Sequence, residues 1–207
     1  ISMAYIRETK MQKSKKNNRL YGNVLVVLCF LFLKQVYAQY GTQSGDWTSY
    51  GGDTGSTKYS PLNQITPQNF EDLEVAWTWT SIDADLDLDA IQEINEAVRI
   101  NNFQGTPLKV GDRLFIITAL NQVAALNPTT GETLWSFNPE VYLSGSPINY
   151  IGYHNRGLAY WSDGENERIL AGLNDGYLLS LDASTGLPDP EFGGGKIDLA
   201  DGLPRAT

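Results

Sequence analysis

The 207-residue chain carries 24 Asp and Glu against 15 Lys and Arg, a net charge of −9 at pH 7, which makes nucleic acid and anionic membrane surfaces poor partners. Its one cysteine, Cys29, excludes an internal disulfide framework. Packing and hydrogen bonding must therefore hold the fold together.

Lys13, Lys15, Lys16 and Arg19 precede an apolar run at 23–33 (NVLVVLCFLFL), and Val36 and Ala38 stand where a signal peptidase wants small residues. Basic, apolar and small in that order is the pattern of a secretory signal peptide, and the run is too short for a spanning helix. Cys29 follows Leu28, where a lipoprotein signal has a small residue instead. Residues 1–38 are accordingly set aside as upstream residues and signal peptide, with Met11 as the expected start, and residues 39–207 as the mature domain. The set-aside stretch holds seven of the 15 basic residues and one of the 24 acidic ones. The mature part thus keeps 8 basic and 23 acidic residues, a net charge of −15.

Residues 40–66 are rich in Gly, Ser, Thr and Asn, yet Trp47, Tyr50 and Tyr59 stand among them. Aromatics at that density predict an ordered, loop-rich lead-in rather than a disordered linker. A short helical turn is expected at 67–73. Residues 74–79 (EVAWTW) read as a strand by their β-branched and aromatic content. From 81 to 102 lies an insertion with Asp83, Asp85, Asp87 and Asp89 at alternate positions. A helix–loop–helix calcium loop begun at Asp83 would need Gly and Glu where Leu88 and Ile94 stand, so that pattern fails. A solvated loop followed by a short helix at 90–98 is the expectation.

The most telling feature comes next. Residues 113–131 (RLFIITALNQVAALNPTTG) and 168–186 (RILAGLNDGYLLSLDASTG) repeat at a fixed offset of 55 without a gap. Each reads strand, turn, strand, then a small-polar turn closed by Gly131 or Gly186. Strands are expected at 106–110, 113–118, 123–127 and 132–137, then at 157–161, 169–173 and 177–182, with Asn174-Asp175-Gly176 a tight turn. Four strands in a repeat of this length describe one propeller blade. Residues 74–79 match 132–137, the last strand of a blade, but lack the three strands before it. Their partners are therefore expected at the far end of a longer chain, and the sequence reads as an N-terminal fragment.

At these residues the chain resembles the pyrroloquinoline-quinone (PQQ)-dependent dehydrogenases: the quinoprotein alcohol dehydrogenases and, more closely, the glucose-dehydrogenase-like branch. Stretches 46–61, 103–112, 123–135 and 155–161 carry the likeness, and 173–186 extends it. Residues 192–203 (FGGGKIDLADGL) look like the segment that follows the second blade in these enzymes. The resemblance implies an all-β propeller, eight-bladed in the family, of which this chain supplies about two blades and an N-terminal closing strand. In 125–135 (ALNPTTGETLW) the Gly131 turn is expected to let Trp135 fold back on the neighbouring blade, its N–H meeting a backbone carbonyl. Pro190 stands where the second copy would have that Trp.

In the family the quinone, an anionic tricarboxylate, lies on the propeller axis. The resemblance implies three cofactor-binding residues. Arg156, in Asn155-Arg156-Gly157, matches the arginine that contacts the quinone, and a planar guanidinium donates in pairs to carboxylate or quinone oxygens. Gln104 stands where many members carry a contacting Glu. His154, the only histidine, lies just before the Arg-Gly pair, where one branch places a cofactor-site histidine, although strict counting puts that place at Gly152. Tyr150-Ile151 replace the paired cysteines of the methanol and ethanol branch, and Thr80 replaces an arginine of some glucose-type enzymes. The implied activity is oxidation of an alcohol or sugar hydroxyl with reduction of PQQ, in the periplasm, with a respiratory quinone or cytochrome as electron acceptor. A Ca2+ ion would act as Lewis acid and an aspartate as base; both sets of residues are expected beyond Thr207, so no metal ligand and no catalytic residue is named here. The alternative is a non-enzymatic periplasmic propeller scaffold for protein–protein interaction.

Overall fold

The computed structural model describes Thr42, residues 45–100 and 103–144, Tyr153, and residues 155–202. The signal-peptide segment and His154 lie outside them. Two four-stranded antiparallel sheets follow each other in the chain. The first is β1 (Leu108–Val110), β2 (Arg113–Ile117), β3 (Val123–Leu126) and β4 (Thr133–Phe137). The second is β5 (Ala159–Ser162), β6 (Glu167–Gly172), β7 (Tyr177–Asp182) and β8 (Lys196–Asp198). In each, neighbours in sequence are neighbours in space, as short turns demand for every pair but β7 and β8. These are the two expected blades.

Burial explains the order of packing. All four residues of β3 are buried, because both faces of this strand are covered. Val123 and Ala125, with Phe115 and Ile117 of β2, share one apolar cluster with Ile169, Ala171, Leu179 and Leu181 of the second sheet. Ala124, Leu126 and Ile116 point the other way and meet Trp77, Trp79 and Ile82. Alternate residues of a strand face opposite sides, so the first blade is sandwiched between the second blade and the segment that precedes it.

That preceding segment corrects one expectation. Residues 74–79 form no strand. Trp77 and Trp79 are half-buried while the residues between and around them are exposed, Val75 by 82%. The side chains thus alternate as in a strand, but among the described residues no neighbouring chain completes a ladder. The tryptophans do the docking instead: Trp77 Nε1 donates to the Pro128 carbonyl at 3.1 Å and Trp79 Nε1 to Thr133 Oγ1 at 3.0 Å.

The Trp–Gly docking follows expectation in one half: Trp135 docks on the neighbouring blade with its N–H on a backbone carbonyl, but the glycine turn that receives it is a different one. The Gly131 turn seats Trp77, not Trp135, and Trp135 crosses to the next repeat, where its Nε1 donates to the Ala183 carbonyl at 3.2 Å. A Cβ on Gly131 or Gly186 would lie 2.5 Å from the indole of Trp77 or Trp135, respectively, and both glycines hold positive φ. Each glycine therefore makes room for the tryptophan of the unit before it.

In the second blade residues 196–198 are part of the blade itself rather than a segment following it. The fourth strand is split. Leu187 and Asp189 pair with β7 through Asp182 N to Leu187 O (2.8 Å) and Asp189 N to Ser180 O (3.0 Å). Pro190, lacking an N–H, cannot continue the ladder, and the chain loops out before β8 returns with Leu179 opposite Lys196.

The lead-in is ordered. Trp47 exchanges two backbone hydrogen bonds with Lys109 of β1 (2.7 and 3.0 Å), and Asp46 accepts from Lys109 Nζ at 2.9 Å and from Gly111 N at 3.1 Å. The insertion holds a one-turn 3-10 segment at Ile82–Asp85 and a helix α1 (Leu88–Ile94), two residues earlier than expected at its start. Asp87 caps α1 by accepting from Ala90 N at 3.1 Å, and Asn95 leaves it with extended backbone. The loop before α1 is not simply solvated: Asp83 is 1% exposed.

Candidate functional site

Strand direction decides where the candidate residues lie. Each first strand begins at the end of its blade that carries the β2–β3 or β6–β7 turn, because adjacent strands run antiparallel. Gln104 precedes β1 and Arg156 precedes β5. The two approaches are joined directly: Thr106 N donates to the Arg156 carbonyl at 2.9 Å, and Thr106 and Gly157 form a parallel bridge. Both side chains are exposed. Among the described residues, no carboxylate forms an ion pair with the Arg156 guanidinium, whereas Arg113 and Arg168 pair with Glu167 (2.8 Å) and Asp189 (2.6 Å). A guanidinium and a neutral amide carried on adjoining strand ends are donors suited to an anion.

The backbone around Arg156 is braced. Asn155 Nδ2 donates to the Gly172 carbonyl at 2.6 Å, while Asn155 Oδ1 accepts from Gly157 N at 3.1 Å. Gly157 has φ +154° and lies against Thr106, whose carbonyl would be 3.3 Å from a Cβ. Only glycine takes that backbone easily at so close an approach. Gly105 is equally confined, since a Cβ would meet the Ile117 carbonyl at 2.7 Å.

Behind these strand ends lies a buried polar layer that the sequence did not signal. Asp83 accepts from Thr118 Oγ1 (2.7 Å), Leu120 N (3.1 Å) and Gln122 Nε2 (2.8 Å). One aspartate of the alternating run thereby pins the insertion to the β2–β3 turn. Asn121, fully buried at the tip of that turn, accepts from Asn174 N at 2.9 Å and so ties it to the β6–β7 turn of the next blade. Asn95, at the end of α1, donates to the Tyr142 carbonyl (3.0 Å) and to Tyr153 Oη (2.9 Å). Burial pushes the Tyr153 hydroxyl above the usual tyrosine range, the Asn95 hydrogen bond opposes this, and the charge of Asp175 adds to it.

The structure therefore brings Gln104 and Arg156 to adjoining strand ends; His154 lies outside the described residues. Asp83, Asn95, Asn121 and Tyr153 went unread because no local pattern distinguishes a buried Asn or Asp from its exposed neighbours. Among the described residues no three His, Cys, Asp or Glu gather so as to hold a metal ion.

Residues 47–207 match the family model for the PQQ glucose/ethanol/alcohol dehydrogenase β-propeller domain. The chain is 31% identical over 186 residues to quinoprotein glucose dehydrogenase A of Acinetobacter calcoaceticus, covering 80% of this chain and 22% of the relative. It is 32% identical to the glycerol dehydrogenase large subunit of Gluconobacter thailandicus (77% and 21% covered). It is 33% identical to the dehydrogenase subunit of alcohol dehydrogenase (quinone) of Gluconobacter oxydans (80% and 20%). Among solved structures, quinohemoprotein alcohol dehydrogenase from Comamonas testosteroni matches with a TM-score of 0.56 at 24% identity, covering 78% of this chain and 20% of that one; that likeness speaks for the fold. The chain spans about one fifth of the length of these relatives.

Proposed function

The chain belongs to the PQQ-dependent glucose/ethanol/alcohol dehydrogenase β-propeller family, and from that premise we propose that it is the N-terminal part of an exported quinoprotein dehydrogenase that oxidises the hydroxyl of an alcohol or sugar. The observation that carries this reading is the family match over residues 47–207, which takes in both candidate strand ends. Relatives named as glucose, glycerol and alcohol dehydrogenases support the substrate class. The name of the Gluconobacter oxydans relative supports a quinone as electron acceptor, and that of a cytochrome c-linked 1-butanol dehydrogenase supports a cytochrome. The basic, apolar and small order of residues 13–38 supports export to the periplasm.

The residues present fit the cofactor. A guanidinium that pairs with no carboxylate among the described residues, and an amide at the adjoining strand end, suit a tricarboxylate. When bound, PQQ supplies the two-electron acceptor for substrate hydride. Arg156 would donate paired N–H groups to its carboxylate or quinone oxygens. Gln104 would add one amide donor and one acceptor without charge. Asn155, Gly157 and Thr106 hold the backbone at Arg156 in place, so less of the chain has to be ordered when the ligand arrives. The proton-abstracting base and the ligands of a calcium ion are expected outside this chain.

The test is titration of the full-length apo-protein with PQQ. Arg156→Ala should cost about 1.5–3 kcal/mol of affinity, the size of a hydrogen bond to a charged group, and Arg156→Lys should recover only part, because an ammonium cannot match a bidentate site. Equal affinity for wild type and Arg156→Ala would remove Arg156 from the site.

A further inference from the structure

Resting on the cofactor reading above, we propose that Asn95 and Tyr153 are positioning residues for Arg156, coupling the end of the inserted helix α1 to the strand end that presents the guanidinium. Arg156 is exposed, and a long exposed side chain loses rotamer freedom when it grips a ligand. The cost falls if the backbone beneath it is already fixed. On one side Asn155 does this by binding the Gly172 carbonyl and Gly157 N. On the other side stands Tyr153, only 3% exposed, whose hydroxyl receives the Asn95 amide at 2.9 Å.

Asn95 is itself held by several contacts. It is 7% exposed, its second amide contact is the Tyr142 carbonyl at 3.0 Å, and its Oδ1 accepts from Ala97 N at 3.2 Å. Tyr142 is clamped in turn, its hydroxyl accepting from Asn138 Nδ2 at 2.8 Å. One amide thus touches the chain shortly after β4 and again three residues before Arg156. The insertion is anchored independently at its other end by Asp83, so α1 acts as a fixed strut rather than a loose loop.

The deciding experiment is a double-mutant cycle on PQQ affinity, measured by fluorescence titration of full-length apo-protein below the melting temperature of every variant. Tyr153→Phe removes the hydroxyl and keeps the ring, and should weaken binding roughly two- to tenfold, the range of one hydrogen bond. In the Arg156→Ala background the same change should alter affinity less than twofold, because there is no guanidinium left to position. Asn95→Ala should behave as Tyr153→Phe does and serves if that variant folds poorly. Unchanged affinity in Tyr153→Phe, or an equal loss with and without Arg156, would overturn the positioning role, the second outcome marking a purely structural bond. Arg156→Ala binding as tightly as wild type would instead bring down the cofactor reading, and this inference with it.

Discussion

Asn121 shows how one residue can serve backbone and interface together. It holds φ +66° at the tip of the β2–β3 turn, and its counterpart in the repeat, Gly176, holds φ +89°. Glycine is the cheap choice at such a position and asparagine the next cheapest. The asparagine also reaches Asn174 N across the blade boundary. Asn121→Gly should therefore keep the turn but lose the bridge, destabilising the protein by about 1 kcal/mol. Asn121→Ala should cost about 1–2 kcal/mol more, because alanine resists positive φ. Urea unfolding midpoints would rank the two, and alanine outperforming glycine would refute this account.

A second residue carries a pH dependence. Burial would raise the Asp182 carboxyl, but the Thr185 hydroxyl and N–H, the Ser184 N–H and the Arg113 charge together hold it below the usual aspartate range. A carboxyl depressed in the folded state contributes stability above its unfolded value, near 3.9. That contribution drains away as pH falls through the lower folded value. Wild type should thus lose more stability than Asp182→Asn between pH 6 and pH 3 (~3 units spanning the ordinary aspartate value), as read from urea midpoints at each pH. Parallel losses in the two proteins would exclude Asp182 as a source of acid sensitivity.

At the scale of elements, the repeat works as a chain of hand-offs. The tryptophan that ends one unit docks on the glycine turn of the next, and this happens twice: Trp77 on Gly131 and Trp135 on Gly186. Trp135 also packs on Phe115 of its own blade with centroids 5.9 Å apart, so the same ring closes a core and an interface. Gly186→Ala should cost about 2–3 kcal/mol, combining positive-φ strain with overpacking against the indole. Gly111→Ala has a comparable φ of +56° but nothing within 4 Å of the new Cβ, and should cost only the strain, about 1 kcal/mol. Thermal melts of the two variants give the comparison. Equal losses would mean that the tryptophan yields freely and the close approach contributes nothing.

At the scale of the whole molecule, exposure shows what surfaces remain. Val75 is 82% exposed, Leu187 65%, Leu199 54% and Ile197 41%. These lie on the segment before the first blade and on the outer part of the second, while the faces between the two blades are closed. Unpaired edges and bare apolar side chains of this kind are ordinarily covered in a finished fold, which accords with a chain about one fifth the length of its relatives. Export is the remaining expectation at this scale. N-terminal sequencing of secreted protein should find a mature start near Gln39, and a retained Met3 or Met11 would contradict the signal-peptide reading.

Strand alternation, the 55-residue offset and the glycine turns determined the blades from sequence alone, because each is a local pattern whose physical cause acts within a few residues. The first seven strands stand within about two residues of expectation for the same reason, whereas β8 went unread and the strand expected at 74–79 is absent. The candidate site was legible in part: Arg156 and Gln104 could be picked out by resemblance, but their adjacency depends on a hydrogen bond between residues of different blades. Only the tertiary structure could decide which glycine receives which tryptophan, which of four alternating aspartates is buried, and why residues 74–79 lack a ladder. The first two outcomes are set by a partner some 35 to 50 residues away, the third by the lack of any strand beside 74–79 among the described residues, and no local pattern encodes what the distant chain brings.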